Sequence, residues 1–161
     1  RCAAGAGMGW GLHGLWPQHE RGWPQDCLTT HRDPSRAETA AMAGIMGSTG
    51  LAWHQWRKHG RCSGLSARDY FALSARALET VRLPEVFERL PRSLNLPAQV
   101  IEQAFLEANP ALAHDMITVT CKRGAIQEVR LCLTRDLAPR PCAADTRRDC
   151  TLQDALLEPP R

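Results

Sequence analysis

The hydrophobic and polar positions of this 161-residue chain begin with an alternating pattern. Large apolar residues occupy alternate positions from Met8 to Leu12, which predicts a strand over residues 8–16 that contains glycines and ends at Pro17. Residues 18–30 contain glycine, proline and cysteine and predict a loop.

Helices are predicted where capping residues precede apolar residues at helical spacing. Asp33 and Pro34 form an N-cap and first-turn pair, and Ser66 with Asp69 approximates a capping box. Gly60 is predicted to be the C-terminal cap of a short helix. The predicted helices cover residues 34–47, 53–59, 66–81, 84–90 and 97–108, and the last has an apolar stripe of Val100, Ile101, Ala104, Phe105 and Ala108.

Strand periodicity returns in the last third of the chain. The runs 116–122 and 125–135 alternate, are β-branched and flank Arg123-Gly124, which predicts a hairpin. The tail is rich in proline, cysteine and arginine and is expected to be irregular. We therefore expect an α+β fold, an antiparallel β-sheet with several packed helices, as a single domain over residues 1–161.

Composition and charge exclude little. With 43% hydrophobic and 23% charged residues, the chain can bury a core. Its longest apolar stretch, residues 40–47, is far shorter than the roughly 20 residues of a membrane-spanning helix, so we expect no membrane partner. A net charge of +3 suits a polyanionic ligand, but it equally suits an ordinary solvated surface.

The chain has seven cysteines and no C-x-x-C pair of the kind found in zinc ribbons. Disulfides in an oxidising compartment are the better interpretation, which predicts a secreted or periplasmic protein. Because the count is odd and Cys2 lies at the start, we expect that the natural beginning, with a signal peptide and the partner of Cys2, precedes this sequence.

The predicted helix over residues 53–59 concentrates chemically active side chains. His54 and Lys58 are one turn apart, as are Gln55 and His59, and the two rows adjoin, so we expect four polar side chains on one face. The opposite arc carries Trp53, Trp56 and Arg57, and there the two tryptophans are expected to anchor the helix in the core.

Three of the six histidines stand out. His13 lies near glycines that leave its ring room to face a cleft, while His54 and His59 share the short helix; for His19, His31 and His114 an ordinary structural role is the better interpretation. A metal site is the competing hypothesis. It is disfavoured because His54 and His59 are about 140° apart around a helix, no carboxylate lies between them, and Lys58 would repel a cation.

Imidazoles beside an ammonium group suit a phosphate transition state. RNA carries its own nucleophile, the 2′-hydroxyl, so its cleavage needs only a base, an acid and cations to stabilise the phosphorane. Histidine titrates near the working pH and can fill both proton roles. We therefore predict RNA cleavage with no cofactor.

Two motifs resemble those of the ribonuclease T2 family, the acid ribonucleases of fungi, plants and bacteria. Residues 12–17 read Leu-His-Gly-Leu-Trp-Pro, and residues 54–62 read His-Gln-Trp-Arg-Lys-His-Gly-Arg-Cys. The likeness extends to the C-terminal cysteines and so covers most of the chain. It implies an endoribonuclease that forms a 2′,3′-cyclic phosphate and then a 3′-phosphate, and we expect it to act as a monomer.

The resemblance also implies a role for each site residue. It makes His59 the base toward the 2′-hydroxyl, His13 the acid toward the leaving oxygen and His54 a phosphate ligand. Lys58 would stabilise the pentacoordinate phosphorus, and Trp16 would stack on a base, with a plain core position as the alternative for Trp16.

Family pairing implies three disulfide bonds. They would join Cys27 to Cys62, Cys121 to Cys150 and Cys132 to Cys142, and Cys2 matches a family cysteine whose partner lies upstream. Each closed loop typically stabilises a protein by roughly 2 to 4 kcal/mol.

Two departures from the family pattern leave alternatives open. Gln55 stands where the family has glutamate, which predicts a slower but active enzyme, and the family's amino-terminal strand is missing. A catalytically impaired relative that binds RNA or a protein is therefore the second hypothesis. A plain disulfide-stapled extracellular domain is a third, but it does not explain why both motifs occur together.

Overall fold

The computed structural model describes residues 10–159, which form two compact units, one ending at Thr80 and the other beginning at Val81. The single domain expected from the sequence stays a prediction. Cys2 and the start of the predicted first strand at Met8 lie outside the described residues.

The first unit has three helices between residues 10 and 80, and each begins after a serine that caps it. The side chains of Ser35, Ser48 and Ser66 accept backbone N–H bonds from the first turns, which satisfies donors that a helix leaves unpaired. The helices are α1 (Arg36–Met46), α2 (Thr49–Lys58) and α3 (Ala67–Glu79), with a 3₁₀ turn at Gly60–Cys62 between the last two.

The start of α1 differs from the sequence prediction. Ser35, not Asp33, is the N-cap, and Ser35 and Glu38 form a complete capping box. Asp33 instead accepts hydrogen bonds from Trp56 Nε1 at 2.9 Å and from Arg61 at 2.7 Å. The Arg61 bond, followed by the Trp56 bond, holds the pKa of Asp33 below its usual value.

The prediction of a strand over residues 8–16 is wrong for its described part. Residues 10–16 have no regular structure, and Leu12 N–H donates to the carbonyl of Ile45 in α1 at 2.8 Å. Leu12 and Leu15 pack against the core of this unit. These inward residues are three positions apart, whereas a strand would direct every second residue inward.

The core of the first unit is centred on Trp56 and Tyr70, which are both fully buried with ring centroids 5.9 Å apart. Gly60 lies against them: a Cβ there would come within 2.5 Å of Trp56 and 2.9 Å of Tyr70. Gly60 is therefore required for close packing, and the predicted role as helix cap belongs to His59. Trp53 was expected in the core but is 36% exposed.

The second unit contains a four-stranded sheet in the order β1-β4-β3-β2. Its strands are β1 (Leu94–Leu96), β2 (Ile117–Lys122), β3 (Ala125–Leu131) and β4 (Ala155–Leu157). The β2–β3 hairpin was predicted, and its turn residues Arg123 and Gly124 have φ angles of 53° and 81°, as its tight turn requires. Both β2–β3 and β1–β4 are antiparallel, whereas β3 and β4 pair in parallel.

Two helices accompany the sheet, α4 (Glu85–Glu88) and α5 (Ala98–Ala108), with a 3₁₀ turn at His114–Met116. Ile101 and Phe105 of α5 are buried as predicted, but Val100 is 49% exposed, so the apolar stripe is narrower than the sequence suggested. The helices and the sheet confirm the α+β class.

In the part of the chain that the structure describes, three disulfide bonds close loops, and all three pairings implied by the resemblance are confirmed. They are Cys27–Cys62, Cys121–Cys150 and Cys132–Cys142. Among the described residues, every helix is too short or too polar to cross a membrane.

Candidate active site

The two sequence motifs meet through three aromatic rings. The Trp16 indole lies 5.4 Å from the His13 ring and 5.3 Å from the His59 ring, centroid to centroid, with interplanar angles of 76° and 30°. The two imidazoles are therefore separated by no more than the sum of these distances. Histidines that lie 46 positions apart in the chain thus border the same indole.

His59 is the buried member of the group. It is 8% exposed, and its Nδ1 has no hydrogen-bond partner among residues 10–159. Burial lowers the pKa of His59 to about 4, and the positive charges of Lys58 and His54 act in the same direction. The His59 ring is therefore neutral above about pH 4 and can accept a proton there.

The polar face of α2 is divided by burial. His54 is exposed and Lys58 is half-buried, whereas Gln55 and His59 are covered. The expected face of four polar side chains is therefore divided into an accessible pair, His54 and Lys58, and a buried pair, Gln55 and His59. The first motif lies against the Gln55 and His59 row, which the sequence alone could not reveal.

Gln55 is held by the first motif. It is 1% exposed, and its Oε1 accepts a hydrogen bond from Trp16 Nε1 at 2.8 Å. Gly14 lies directly against this bond, because a Cβ there would be 2.7 Å from Trp16 Nε1 and closer still to Gln55 Oε1. No residue larger than glycine fits at position 14 while this hydrogen bond is present.

The loop after the first motif is attached to the C-terminal end of α2. Asp26 N–H donates to the Lys58 carbonyl at 2.8 Å, and the next residue forms the Cys27–Cys62 disulfide. The Lys58 carbonyl belongs to the last turn of α2 and needs a partner from outside the helix. These two bonds fix the turn that carries both Lys58 and His59.

Sequence reasoning missed Tyr70, which positions the first motif. Its hydroxyl donates to the carbonyl of Leu15 at 2.9 Å, and burial raises its pKa. Tyr70 is the single tyrosine of the chain, but it lies on α3, outside both motifs and 55 positions from Leu15. A tyrosine hydroxyl that is buried usually has a hydrogen-bond partner, and this expectation was the only signal that the sequence offered for Tyr70.

The geometry agrees with what the family comparison finds. The sequence model of the Ribonuclease T2 family matches residues 2–142 of this chain. The chain belongs to the ribonuclease T2 family. The T2 match includes both motifs and six of the seven cysteines, Cys150 being the one beyond it.

Relatives with curated descriptions match only part of this T2 chain. A ribonuclease of Aeromonas hydrophila is 44% identical over 68 residues, which are 42% of this chain and 31% of that protein. The intracellular ribonuclease LX of Solanum lycopersicum is 36% identical over 75 residues, which are 37% of this chain and 30% of that protein. The matched part spans about a third of the length of each relative.

Solved structures of similar fold cover more of the chain. An RNase-related protein from Calystegia sepium has a TM-score of 0.68 at 17% identity, covering 94% of this chain and 82% of that one. The crystal structure of RNase NT in complex with 5′-AMP has a TM-score of 0.65 at 23% identity, covering 94% and 83%. At these identities the likeness shows that the T2 chain shares their fold.

The site of this T2 chain brings imidazole rings and an ammonium group together. Within residues 10–159, no three His, Cys, Asp or Glu side chains come together so that they could hold a metal ion. A neutral buried imidazole, an exposed imidazole and a neighbouring ammonium group can move protons and stabilise negative charge. Such an arrangement suits acid–base chemistry on a phosphodiester.

Proposed function

We propose that this T2 chain is an endoribonuclease that cleaves single-stranded RNA without a metal ion. In the first step the 2′-oxygen forms a bond to phosphorus, and the bond from phosphorus to the 5′-oxygen breaks, which leaves a 2′,3′-cyclic phosphate. In the second step water adds to that phosphate and opens it to a 3′-phosphate. The single observation that carries the proposal is that the His13 and His59 rings border the same indole.

His59 takes the proton from the 2′-hydroxyl. Its burial supports this role, because burial lowers its pKa to about 4 and leaves the ring neutral at the pH values at which a base must act. In the second step the same ring, now protonated, returns a proton to the departing 2′-oxygen, while His13, neutral after the first step, takes a proton from the attacking water.

His13 gives a proton to the departing 5′-oxygen. The side chain is exposed, so substrate can reach it, and its ring lies edge-on to Trp16 at 5.4 Å. An acid and a base on the two sides of one phosphate each contribute roughly 10²- to 10⁴-fold to the rate.

His54 and Lys58 supply the positive charge. They lie one turn apart on α2, with His54 exposed and Lys58 half-buried. We assign His54 to the phosphate oxygens of the bound RNA and Lys58 to the charge that develops on the pentacoordinate phosphorus. Donors fixed in advance of the reaction stabilise such a charge without reorganising.

Trp16 is half-buried and contacts both proposed catalytic histidines. Its proposed role is to stack on a nucleobase, a contact worth roughly 1 to 3 kcal/mol that tolerates any base. The alternative is a purely structural role, and its hydrogen bond to Gln55 is compatible with both.

We also propose that the protein acts as a monomer in an oxidising compartment, either secreted or periplasmic. Three disulfide bonds among residues 10–159 support this location, because cytosolic thiols are kept reduced.

Incubation of the purified protein with RNA in the presence of EDTA tests the proposed function. We expect cyclic-phosphate ends to appear first and 3′-phosphate ends later, at the same rate with and without the chelator. Binding of RNA without cleavage at any pH would instead favour the catalytically impaired relative, the second hypothesis.

Restoring the family's carboxylate is the second prediction. We expect Gln55→Glu to raise turnover, because the carboxylate restores a charge that tunes Lys58 and the histidines, but by less than the roughly 10²- to 10³-fold that a complete transition-state donor supplies. Steady-state rates are compared with those of Gln127→Glu, which adds the same charge at an exposed position on β3. Turnover at or below that of the natural chain, in a variant that still melts cooperatively, would contradict the expectation.

A further inference from the structure

The pairing between Gln55 and Trp16 suggests a task for Gln55 other than contact with substrate. At 1% exposure, the Gln55 side chain is sealed beneath the first motif and no RNA atom can reach it in this arrangement. Its Oε1 faces the indole N–H, which can only donate, so the orientation of the amide is determined.

The ring that Gln55 holds is the one that contacts His59. The Trp16 and His59 centroids are 5.3 Å apart at an interplanar angle of 30°, so the indole lies next to the imidazole, which is 8% exposed. The N–H on the polar edge of that indole donates to Gln55 Oε1 at 2.8 Å. If the bond were lost, the indole would be free to turn and water could approach the imidazole.

Gly14 makes this contact possible and adds a second, independent observation. A methyl group at position 14 would occupy the space of the Trp16 to Gln55 bond. Gly14 of the first motif and Gln55 of the second therefore act together. Because Gly14 has no side chain, there is space for the hydrogen bond between Trp16 and Gln55 that joins the two motifs.

We infer that Gln55 is a positioning residue, whose amide oxygen holds the Trp16 indole against His59 and keeps that base shielded from water. The inference extends the proposed function, on which its kinetic consequences rest. It also gives Gln55 a task, acceptance of the indole hydrogen bond, that its uncharged amide already performs.

The proton affinity of His59 responds to this shielding. The charged and titratable groups that act on it are Lys58 and His54 from α2, Asp26 from the following loop and His13 from the first motif. Desolvation is nevertheless the largest cause of its lowered pKa. Releasing the indole therefore reduces the desolvation of His59. The four charged or titratable neighbours are unchanged by the substitution.

Two variants break the same bond from opposite ends. Gln55→Met removes the acceptor at similar volume, and Trp16→Phe removes the donor while leaving an aromatic ring. We expect the pKa of His59 to rise in both, because the ring becomes hydrated. The acid limb of kcat/KM then moves to higher pH, and at pH 5 the rate relative to its plateau falls roughly three- to tenfold.

Trp56→Phe is the matched control. It removes an indole hydrogen bond of similar length from the same helix, but this bond runs 2.9 Å to Asp33 in the segment before α1 and not to the first motif. We expect it to lower the melting temperature without moving the acid limb, whereas a purely structural role for Gln55 would make all three variants behave alike.

NMR titration of the His59 ring protons without RNA separates this inference from the proposed function. Raised values in both bond-breaking variants, with Trp56→Phe unchanged, support the positioning role even if the natural chain does not cleave RNA. An unchanged value in either bond-breaking variant, or an equal rise in the control, overturns it.

Discussion

His13→Ala and His59→Ala each lower kcat/KM for RNA by roughly 10²- to 10⁴-fold, because each removes one proton transfer from the reaction. His13 is exposed, so its truncation leaves the fold intact. His59 is buried, and His59→Gln, which fills much of the same space, is the companion variant. His31→Ala changes an exposed histidine of the same unit and should leave the rate unchanged.

A substrate with a good leaving group distinguishes the acid from the base. With a nucleoside 3′-(4-nitrophenyl phosphate), the departing oxygen needs no proton, so His13→Ala should recover most of its rate. His59→Ala should not, because the 2′-hydroxyl must still lose its proton. Equal recovery of both variants, or full activity of either on RNA, would show that the roles are assigned wrongly.

Removal of the Cys27–Cys62 disulfide should lower the free energy of unfolding by about 4 kcal/mol, since it closes a long loop in the unfolded chain. Its cysteines are 35 positions apart. We also expect kcat/KM to fall, by up to roughly 10²-fold, because the bond helps to fix the turn that carries Lys58 and His59. Chemical denaturation and steady-state rates of the double serine variant measure the two effects.

The disulfide between Cys132 and Cys142 is the control for that experiment. Its cysteines are 10 positions apart and lie in the second unit, which contains none of the proposed site residues. Its removal should reduce stability by about 3 kcal/mol and leave kcat/KM unchanged while the protein is folded. An equal reduction of kcat/KM by both removals, or an unchanged rate after loss of Cys27–Cys62, would show that this disulfide does not help to fix the turn that carries Lys58 and His59.

The helices were predictable because their signals are local. The capping pair Ser66 and Asp69 predicted the start of α3, and the Arg123-Gly124 turn predicted the β2–β3 hairpin. At α1 two candidate caps lie two residues apart, Asp33 and Ser35, and the choice depended on distant Trp56 and Arg61, which occupy the aspartate.

The short strands β1 and β4 could not be predicted from local sequence signals. Both β1 and β4 have three residues, and they pair with each other across about 60 positions of the chain. Three residues are too few for a periodicity to be recognised, and the partner of a strand is chosen by the folded chain. For the same reason the wrongly predicted first strand had a convincing alternation but no neighbouring strand in the described structure of its unit.

By itself the sequence determined the chemistry available to this protein: two histidine motifs, an ammonium group, the cysteines and the capped helices, since these depend on residue type and near neighbours. Tertiary structure decided which of them are buried. It covered Gln55 and His59 while leaving His54 exposed, and it joined the motifs through Trp16. The physical reason is that the hydration of a side chain, and hence its proton affinity, is set by whatever packs on it from distant parts of the chain.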